Sequence, residues 1–345
     1  MSFMDYQYMN PEFLNNYLKY QRYIEFYAQS TVDEAYYDLR TYFRFIKLKI
    51  TDDLDINTIT VEEFKLIQIK DITLDDIRTT NAQTIEEFIY FLRYTLENDV
   101  KTRNRKLSSI KRFYEYLSNN NMISYNPTLN IKSAKIGKKQ PKYLNLDESK
   151  KLLSQTIKSN QRFKIRNYAI TCIFLNCGIR ASELVNIDLT DFKLDEMTLK
   201  IKGKGNKERM LYLNNATLEA IKEYLKLRPQ LSRNNLDYNA LFISERNKRI
   251  SKRNIQEIIV QELTTLLNEN QKGYHTHTLR HSLATLLYDE NNIDIMVIKK
   301  ILGHESLSAT EVYTHISSSK LKEIMENCTI SSILEKREEN YNVRK

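Results

Sequence analysis

The residues best suited to chemistry crowd into the later part of this 345-residue chain, where all five histidines fall between His275 and His315. His277-Thr-Leu-Arg280-His281 reads as the start of a helix. There His277 and Arg280, at i and i+3, share one side; a lone histidine on a helix is usually structural, and a His-Arg pair at a helix start in a basic protein is less so. His277 and His281, at i and i+4, have a metal-ligand spacing. The glutamate of the zinc-protease pattern is missing and no cysteine lies nearby, so a metal is not the favoured reading. Leu302-Gly303-His304 reads as a helix end with its glycine at the C-cap and His304 on the following turn. Tyr313 follows within Glu-Val-Tyr-Thr-His; in a chain with 23 tyrosines its residue type alone says little.

The elements that must position these residues can be read upstream. Asn145-Leu-Asp-Glu148 is a capping box opening a helix with Leu152 and Leu153. An apolar helix from Tyr168 to Asn176 contains Cys172 and ends at Gly178, which suits a left-handed C-cap. A short helix over Ala181–Asn186, capped by Ser182, comes next. Two alternating segments, Thr198–Lys202 and Arg209–Leu213, read as a hairpin turning at Gly203-Lys204-Gly205-Asn206. The remainder is helical over about 215–228, 252–268, 278–290, 293–302 and 318–326.

The first region reads as a separate helical unit. Phe13, Tyr17, Tyr20, Ile24 and Tyr27 mark one helix face, and Thr31-Val-Asp-Glu34 is a capping box for a second helix striped by Leu39, Tyr42, Phe43 and Ile46. The stretch 51–80 shows no strong period. Thr84-Ile-Glu-Glu87 starts a third helix with Phe88, Ile89 and Leu92. A fourth, about Thr102–Ser118, turns Leu107, Ile110, Tyr114 and Leu117 inward and Lys101, Arg105 and Arg112 outward, a basic face suited to phosphates.

Composition bounds the class. Six glycines and four prolines are too few for an all-β fold, so a mainly α protein with a small β-hairpin or sheet is expected. No apolar run approaches a membrane span and no signal-peptide core opens the chain, so a cytoplasmic protein with no membrane partner is expected. Cys172, Cys177 and Cys328 have neither metal nor disulfide spacing, which fits a reducing compartment. Charge is segregated: residues 1–100 carry a net −8, 101–145 a net +10 and the rest +7. Basic residues continue through Lys132, Lys135, Lys138, Lys139 and Lys142 with no nearby carboxylate. A solvated linker would look similar, but a belt placed between two larger regions is what gripping a polyanion requires.

Five segments together carry a family resemblance. Gly178-Ile-Arg180-Ala-Ser-Glu183-Leu, Gly203-Lys204-Gly205-Asn-Lys-Glu-Arg209, His277-Thr-Leu-Arg280-His281, Leu302-Gly303-His304 and Tyr313-Thr-His315 resemble the tyrosine recombinases in order and spacing. Within that phage-integrase family the likeness is to the bacterial Xer-like branch. It is specific over about 145–320 and looser over the first unit. It implies a two-domain architecture, a helical core-binding domain plus a mixed α/β catalytic domain. It also implies that Arg180 and Arg280 bind the phosphate and that Tyr313 is the nucleophile, forming a 3′-phosphotyrosine. Lys204 would be the general acid, His277 the general base and His304 a phosphate donor. Lys207 could exchange roles with Lys204, although the flanking glycines favour Lys204. Glu183 would support the site's architecture.

The resulting expectation is a site-specific recombinase that cuts and rejoins double-stranded DNA with no cofactor, neither ATP nor metal. Its domains would be 1–125 (core DNA-binding), 126–144 (basic linker), 145–330 (catalytic) and 331–345 (tail). DNA contacts would come from Lys101, Arg105, Arg112, Lys138 and Lys139. A homo-oligomer, a tetramer on two sites, is expected, with a heterologous partner recombinase as an option. Too little chain precedes the first helix for a separate arm-binding domain. The tail has Leu321, Ile324 and Met325, then Ile330, Ile333 and Leu334, and would dock on a neighbouring protomer or on its own domain. The alternatives are a type IB topoisomerase-like relaxase and a catalytically silent DNA-binding protein of the same fold.

Overall fold

The computed structural model describes residues 3–51, 55–56, 58–137, 141–159, 162–203, 208–267, 273–289, 293–303 and 324. The chain divides into two compact units, Met1–Lys138 and Lys139–Lys345. Among the described residues the elements are mainly α-helical with one three-stranded antiparallel sheet. No helix there is long and apolar enough to cross a membrane.

The first unit begins with a 3-10 turn, Phe3–Met9, and then α1 (Glu12–Tyr23), α2 (Gln29–Ile50), α3 (Val61–Leu66), α4 (Leu74–Arg78), α5 (Ala82–Tyr94) and α6 (Val100–Asn119). Its core is unusually aromatic: Tyr17, Tyr36, Tyr42, Phe43, Phe45, Phe88, Phe113 and Tyr114 are fully buried. A buried phenol must find a partner. Tyr42 and Tyr114 meet hydroxyl to hydroxyl at 2.9 Å across α2 and α6, and burial pushes the Tyr114 phenol up to about 12.

Several boundaries differ from the sequence reading. Helix α1 stops at Tyr23 because the chain turns through Phe26 in the left-handed region (φ 56°); Ile24 is exposed and Tyr27 lies beyond the helix. The Thr31 box does not form. Helix α2 starts earlier, at Gln29, whose side-chain amide donates to Asp33 in the first turn. Asn81, a strong capping residue, takes the Thr84 N–H and starts α5 before Thr84. The stretch that showed no period holds α3 and α4, opened by the capping boxes Thr60/Glu63 and Thr73/Asp76. Helices of six and five residues are too short to display a period.

The second unit contains α7 (Leu146–Lys158), α8 (Lys164–Cys177), α9 (Ala181–Val185), a 3-10 turn (Leu189–Asp191), β1 (Phe192–Lys193), β2 (Thr198–Lys202), β3 (Glu208–Tyr212), α10 (Asn215–Leu227), α11 (Lys252–Leu267), α12 (Thr276–Asp289) and α13 (Ile295–Leu302). Helix α8 is the central post, buried on all sides from Arg166 to Cys177 and packed against α7, α10 and α12. The Cys172 thiol inside it is driven up to about 12 by burial. The hairpin pairs Leu199 with Leu211 and Ile201 with Arg209. β1, absent from the sequence reading, adds a short edge strand on β2. The capping box at Asn145 forms as expected, as do the left-handed glycine caps at Gly178 (φ 58°) and Gly303 (φ 68°). Ser182 is exposed and caps nothing; Arg180 occupies the N-cap of α9.

Between α6 and α7 the described residues hold no helix or strand, but the first half of that stretch is tied down. Ile131 is buried in the first core, and Asn104 on α6 exchanges two hydrogen bonds with the Ala134 backbone. Leu144 is anchored in the second unit, where its N–H donates to Ser282 Oγ at 2.7 Å.

One buried acid in the second unit has no cation beside it among the described residues. Glu262 on α11 is buried, and its Oε2 lies 2.9 Å from Thr156 Oγ1, which lies equally close to Leu152 O. The single hydroxyl proton serves one of these acceptors, and burial raises the Glu262 carboxyl above its ordinary range. A raised folded-state value gives stability below the unfolded-state value that is lost as pH rises through the folded one. Glu262→Gln should therefore stabilise the protein by about 1 kcal/mol at pH 7 and give no gain at pH 4, as read by urea unfolding at both pH values.

Candidate active site

The N-terminus of α9, strand β3, the N-terminal half of α12 and the C-terminus of α13 come together around one carboxylate. Glu183 is 3% exposed. Its Oε2 accepts the Arg180 backbone N–H at 2.8 Å and its Oε1 accepts Arg180 Nη1 at 2.9 Å. Arg209, reaching in from β3, lays its fork on the same carboxylate, Nη1 to Oε1 at 3.0 Å and Nη2 to Oε2 at 3.2 Å. Burial works to raise the Glu183 carboxyl, but the Arg209 and Arg180 hydrogen bonds and the Arg209 charge outweigh it and leave it below the usual carboxylate range.

Arg280 is held differently. It is buried on α12 and donates through Nη1 to Gly178 O at 2.6 Å and through Nη2 to Leu302 O at 2.7 Å. It thus bridges the C-terminal ends of α8 and α13, where carbonyls lack intrahelical donors and cations are favoured. Burial first, and then the Arg180 charge, lowers its pKa to about 10. The Glu183 charge works against that shift, while Arg209 adds to it. Three guanidinium groups therefore bear on one carboxylate, and the excess of positive charge suits an anion.

His277, about one turn before Arg280 on the exposed side of α12, feels the same field. Lost hydration lowers its imidazole pKa, and the charges at His275, Arg280, His281 and Arg180 lower it further. At neutral pH it is an uncharged ring able to accept a proton. Arg180, Arg280 and His277 are thus brought together. Lys204, His304 and Tyr313 lie outside the described residues, as does Lys207; Lys202 and Glu208 flank the hairpin turn, and Gly303 immediately precedes His304. Arg209 was not singled out by sequence. The hairpin pairing places it opposite Ile201, but its reach to Glu183 is a contact between elements that no local pattern carries.

The comparisons with known proteins meet this geometry. The model of the phage integrase family matches residues 142–320. The chain belongs to the phage integrase family. A tyrosine recombinase XerC from Caldanaerobacter subterraneus subsp. tengcongensis is 39% identical, covering 93% of this chain and 88% of the relative. A second, from Thermodesulfovibrio yellowstonii, is 38% identical over 64% of this chain and 73% of its own. Among solved structures, the XerH site-specific recombinase bound to palindromic difH substrate in a post-cleavage complex superposes with TM-score 0.60 at 21% identity, covering 95% of this chain and 98% of that one. A lambda integrase dimer bound to a COC' core site does so with TM-score 0.61 at 14% identity, covering 90% and 76%. These share the fold. The protein is a tyrosine site-specific recombinase, an enzyme that cuts and rejoins DNA.

In the first unit of this recombinase, the basic face of α6 is less free of acid than its sequence implies. Asp38 on α2, wholly buried, accepts from Arg105 Nη1 at 2.7 Å, Lys106 Nζ at 3.3 Å and Ser109 Oγ at 2.9 Å, and Glu34 adds a second ion pair to Arg105. Lys106 is buried as well, and that burial lowers its pKa despite Asp38. Lys101 and Arg112 are exposed, Arg112 lying over the Tyr27 ring at 5.9 Å from its centroid. Lys138 and Lys139 lie outside the described residues. Removing one partner of a buried charge is costly. Arg105→Ala should lower stability by about 2 kcal/mol, whereas Arg112→Ala, losing one exposed ring contact, should stay within about 1 kcal/mol, as compared by chemical denaturation.

Proposed function

We propose that the Arg180–Arg280–His277 cluster binds a scissile DNA phosphate and that Tyr313 attacks it. The carrying observation is the excess of guanidinium charge around Glu183, with Arg280 buried and pushed down by Arg180. A phosphodiester builds further charge as its phosphorus is attacked, so cations already in place stabilise the transition state most. Arg180 and Arg280 would take the nonbridging oxygens. His277, neutral at pH 7, would receive the Tyr313 phenolic proton while the tyrosine oxygen bonds to phosphorus. As the bond to the 5′-oxygen breaks, Lys204 would protonate that oxygen, and His304 would donate to the phosphate. The 3′-phosphotyrosine exchanges one phosphoester for another, so a second strand's 5′-hydroxyl can reverse the step without ATP.

Both units would contribute to the duplex contact, with Lys101, Arg105, Arg112, Lys138 and Lys139 on phosphates; Asp38 holds Arg105 from within the first unit. The working assembly would be a homotetramer on two double-stranded DNA sites in the cytoplasm, serving Xer-like chromosome resolution or a mobile element. Two recombinases of the same fold were solved bound to DNA, which supports the duplex as the partner.

The test is covalent trapping. A duplex selected by the full chain from a random-sequence pool is nicked close to the cleavage point, so that the short strand diffuses away. Wild type should form a covalent protein–DNA adduct, Tyr313→Phe none, and Arg280→Ala should trap roughly 10²–10³-fold more slowly. An adduct with Tyr313→Phe, or none with wild type, would sink the assignment. The wild-type acid limb should lie below the ordinary imidazole range, because His277 must be uncharged and its pKa is lowered.

A further inference from the structure

Arg209 stands outside the six residues assigned above, yet it touches two elements of the same cluster, α9 and the end of α13. From β3 its fork closes on both oxygens of Glu183, the carboxylate that also holds the Arg180 side chain and backbone N–H. The same Nη2 reaches Leu302 O at 3.4 Å, the carbonyl to which Arg280 donates from the other side. The guanidinium lies flat against Gly303: a Cβ built there would meet Arg209 Cζ at 2.8 Å and its Nε and Nη1 at 2.9 Å. Gly303 also holds φ at 68°, so this turn needs glycine for its backbone and for the arginine beside it.

We infer that Arg209 is a positioning residue: it locks Glu183 against Arg180 and ties the α13 end, from which the chain enters His304, to the strand leading out of the Lys204 turn. The inference rests on the reading of Arg180 and Arg280 as the phosphate-holding pair. Arg209 touches no phosphate in this scheme; it sets where two other groups stand. Three of its bonds converge on atoms that those groups share, so losing it disturbs Arg180 and Arg280 together. A planar fork does this with one side chain, which an ammonium on a flexible stem cannot copy.

The groups that face Glu183 are Arg180 from α9, Arg209 from β3 and Arg280 from α12. Without Arg209, the burial that raises the carboxyl is opposed by fewer positive charges. Its protonation then moves upward, and a protonated Glu183 no longer grips Arg180 as an ion pair. A residue that merely filled space would leave the pH profile alone.

The experiment uses full-length protein and the nicked, pool-selected duplex, with single-turnover adduct formation followed from pH 5 to 9. Arg209→Gln should trap about 10²-fold more slowly at pH 7, bind the duplex within about threefold of wild type, and show an acid limb at higher pH than wild type. Arg209→Lys, which keeps the charge and loses the fork, should return the limb to its wild-type place while trapping about tenfold more slowly. Arg209→Gln with wild-type rate and profile overturns the inference. So does a loss equal at all pH values and matched by weaker binding. If Arg209→Gln does not fold, Arg209→Lys decides: slow trapping with unchanged binding supports the lock, and wild-type trapping overturns it. Failure of wild type itself to trap would overturn the functional reading instead, so the two failures are told apart.

Discussion

The second unit depends on a single buried anion among cations. A carboxylate that is 3% exposed would be forced neutral without partners, and arginines packed this closely would repel one another without a counter-charge. Glu183 answers both constraints. Its four contacts with Arg180 and Arg209 keep it ionised, and its charge offsets part of what burial, first, and the neighbouring arginines, second, do to pull Arg280 down to about 10. It does not neutralise the site. One negative charge against three guanidinium groups leaves a net positive charge there, the excess on which the proposed phosphate site rests.

The helix ends supply the second half of that balance. Arg280 satisfies carbonyls at the ends of both α8 and α13, and each end is closed by a glycine in the left-handed region. At Gly178 a Cβ would come within 2.5 Å of Leu302 Cδ2 and 2.9 Å of Leu283 Cδ2, so the turn packs against side chains of the very helices it helps to register. In a chain with six glycines, two are therefore spent where an arginine must reach bare backbone carbonyls. The cation at the C-terminal ends and the glycine caps are one device: the caps expose the carbonyls, and the guanidinium fixes their separation.

How much of this could be read beforehand depended on the distance over which each signal acts. Local signals were legible. The Asn145 box, the Gly178 and Gly303 caps and the β2–β3 pairing are written within a few residues and appear where expected, and the five spaced segments pointed to the family. Short or competing signals were not. Helices α3 and α4 lack the length to show a period, and α2 began at Gln29 although Thr31-Val-Asp-Glu34 offered a better-looking start. Partners distant in sequence were invisible. Nothing near Arg105 announces Asp38, 67 residues earlier, and nothing in the β3 segment announces that Arg209 crosses to Glu183 and Leu302.

That distance changes the meaning of the chain's positive charge. Counting along the sequence makes the α6 region a nearly acid-free belt and the first hundred residues a separate acidic block. Folding brings one to the other: Asp38 and Glu34 of α2 sit on Arg105, and Asp38 also holds Lys106 inside the unit. The acidic block is thus partly an internal counter-charge, and the cations left facing solvent are fewer than the count suggests. Among the described residues the three buried acids follow one rule. Asp38 and Glu183 each have an arginine on a neighbouring element, and each organises a basic group in place. Glu262 has only a shared hydroxyl, and burial drives it toward its neutral form. What distinguishes a carboxylate that organises charge from one that merely tolerates burial is whether the fold delivers a guanidinium to it, and here both deliveries come from elements remote in sequence.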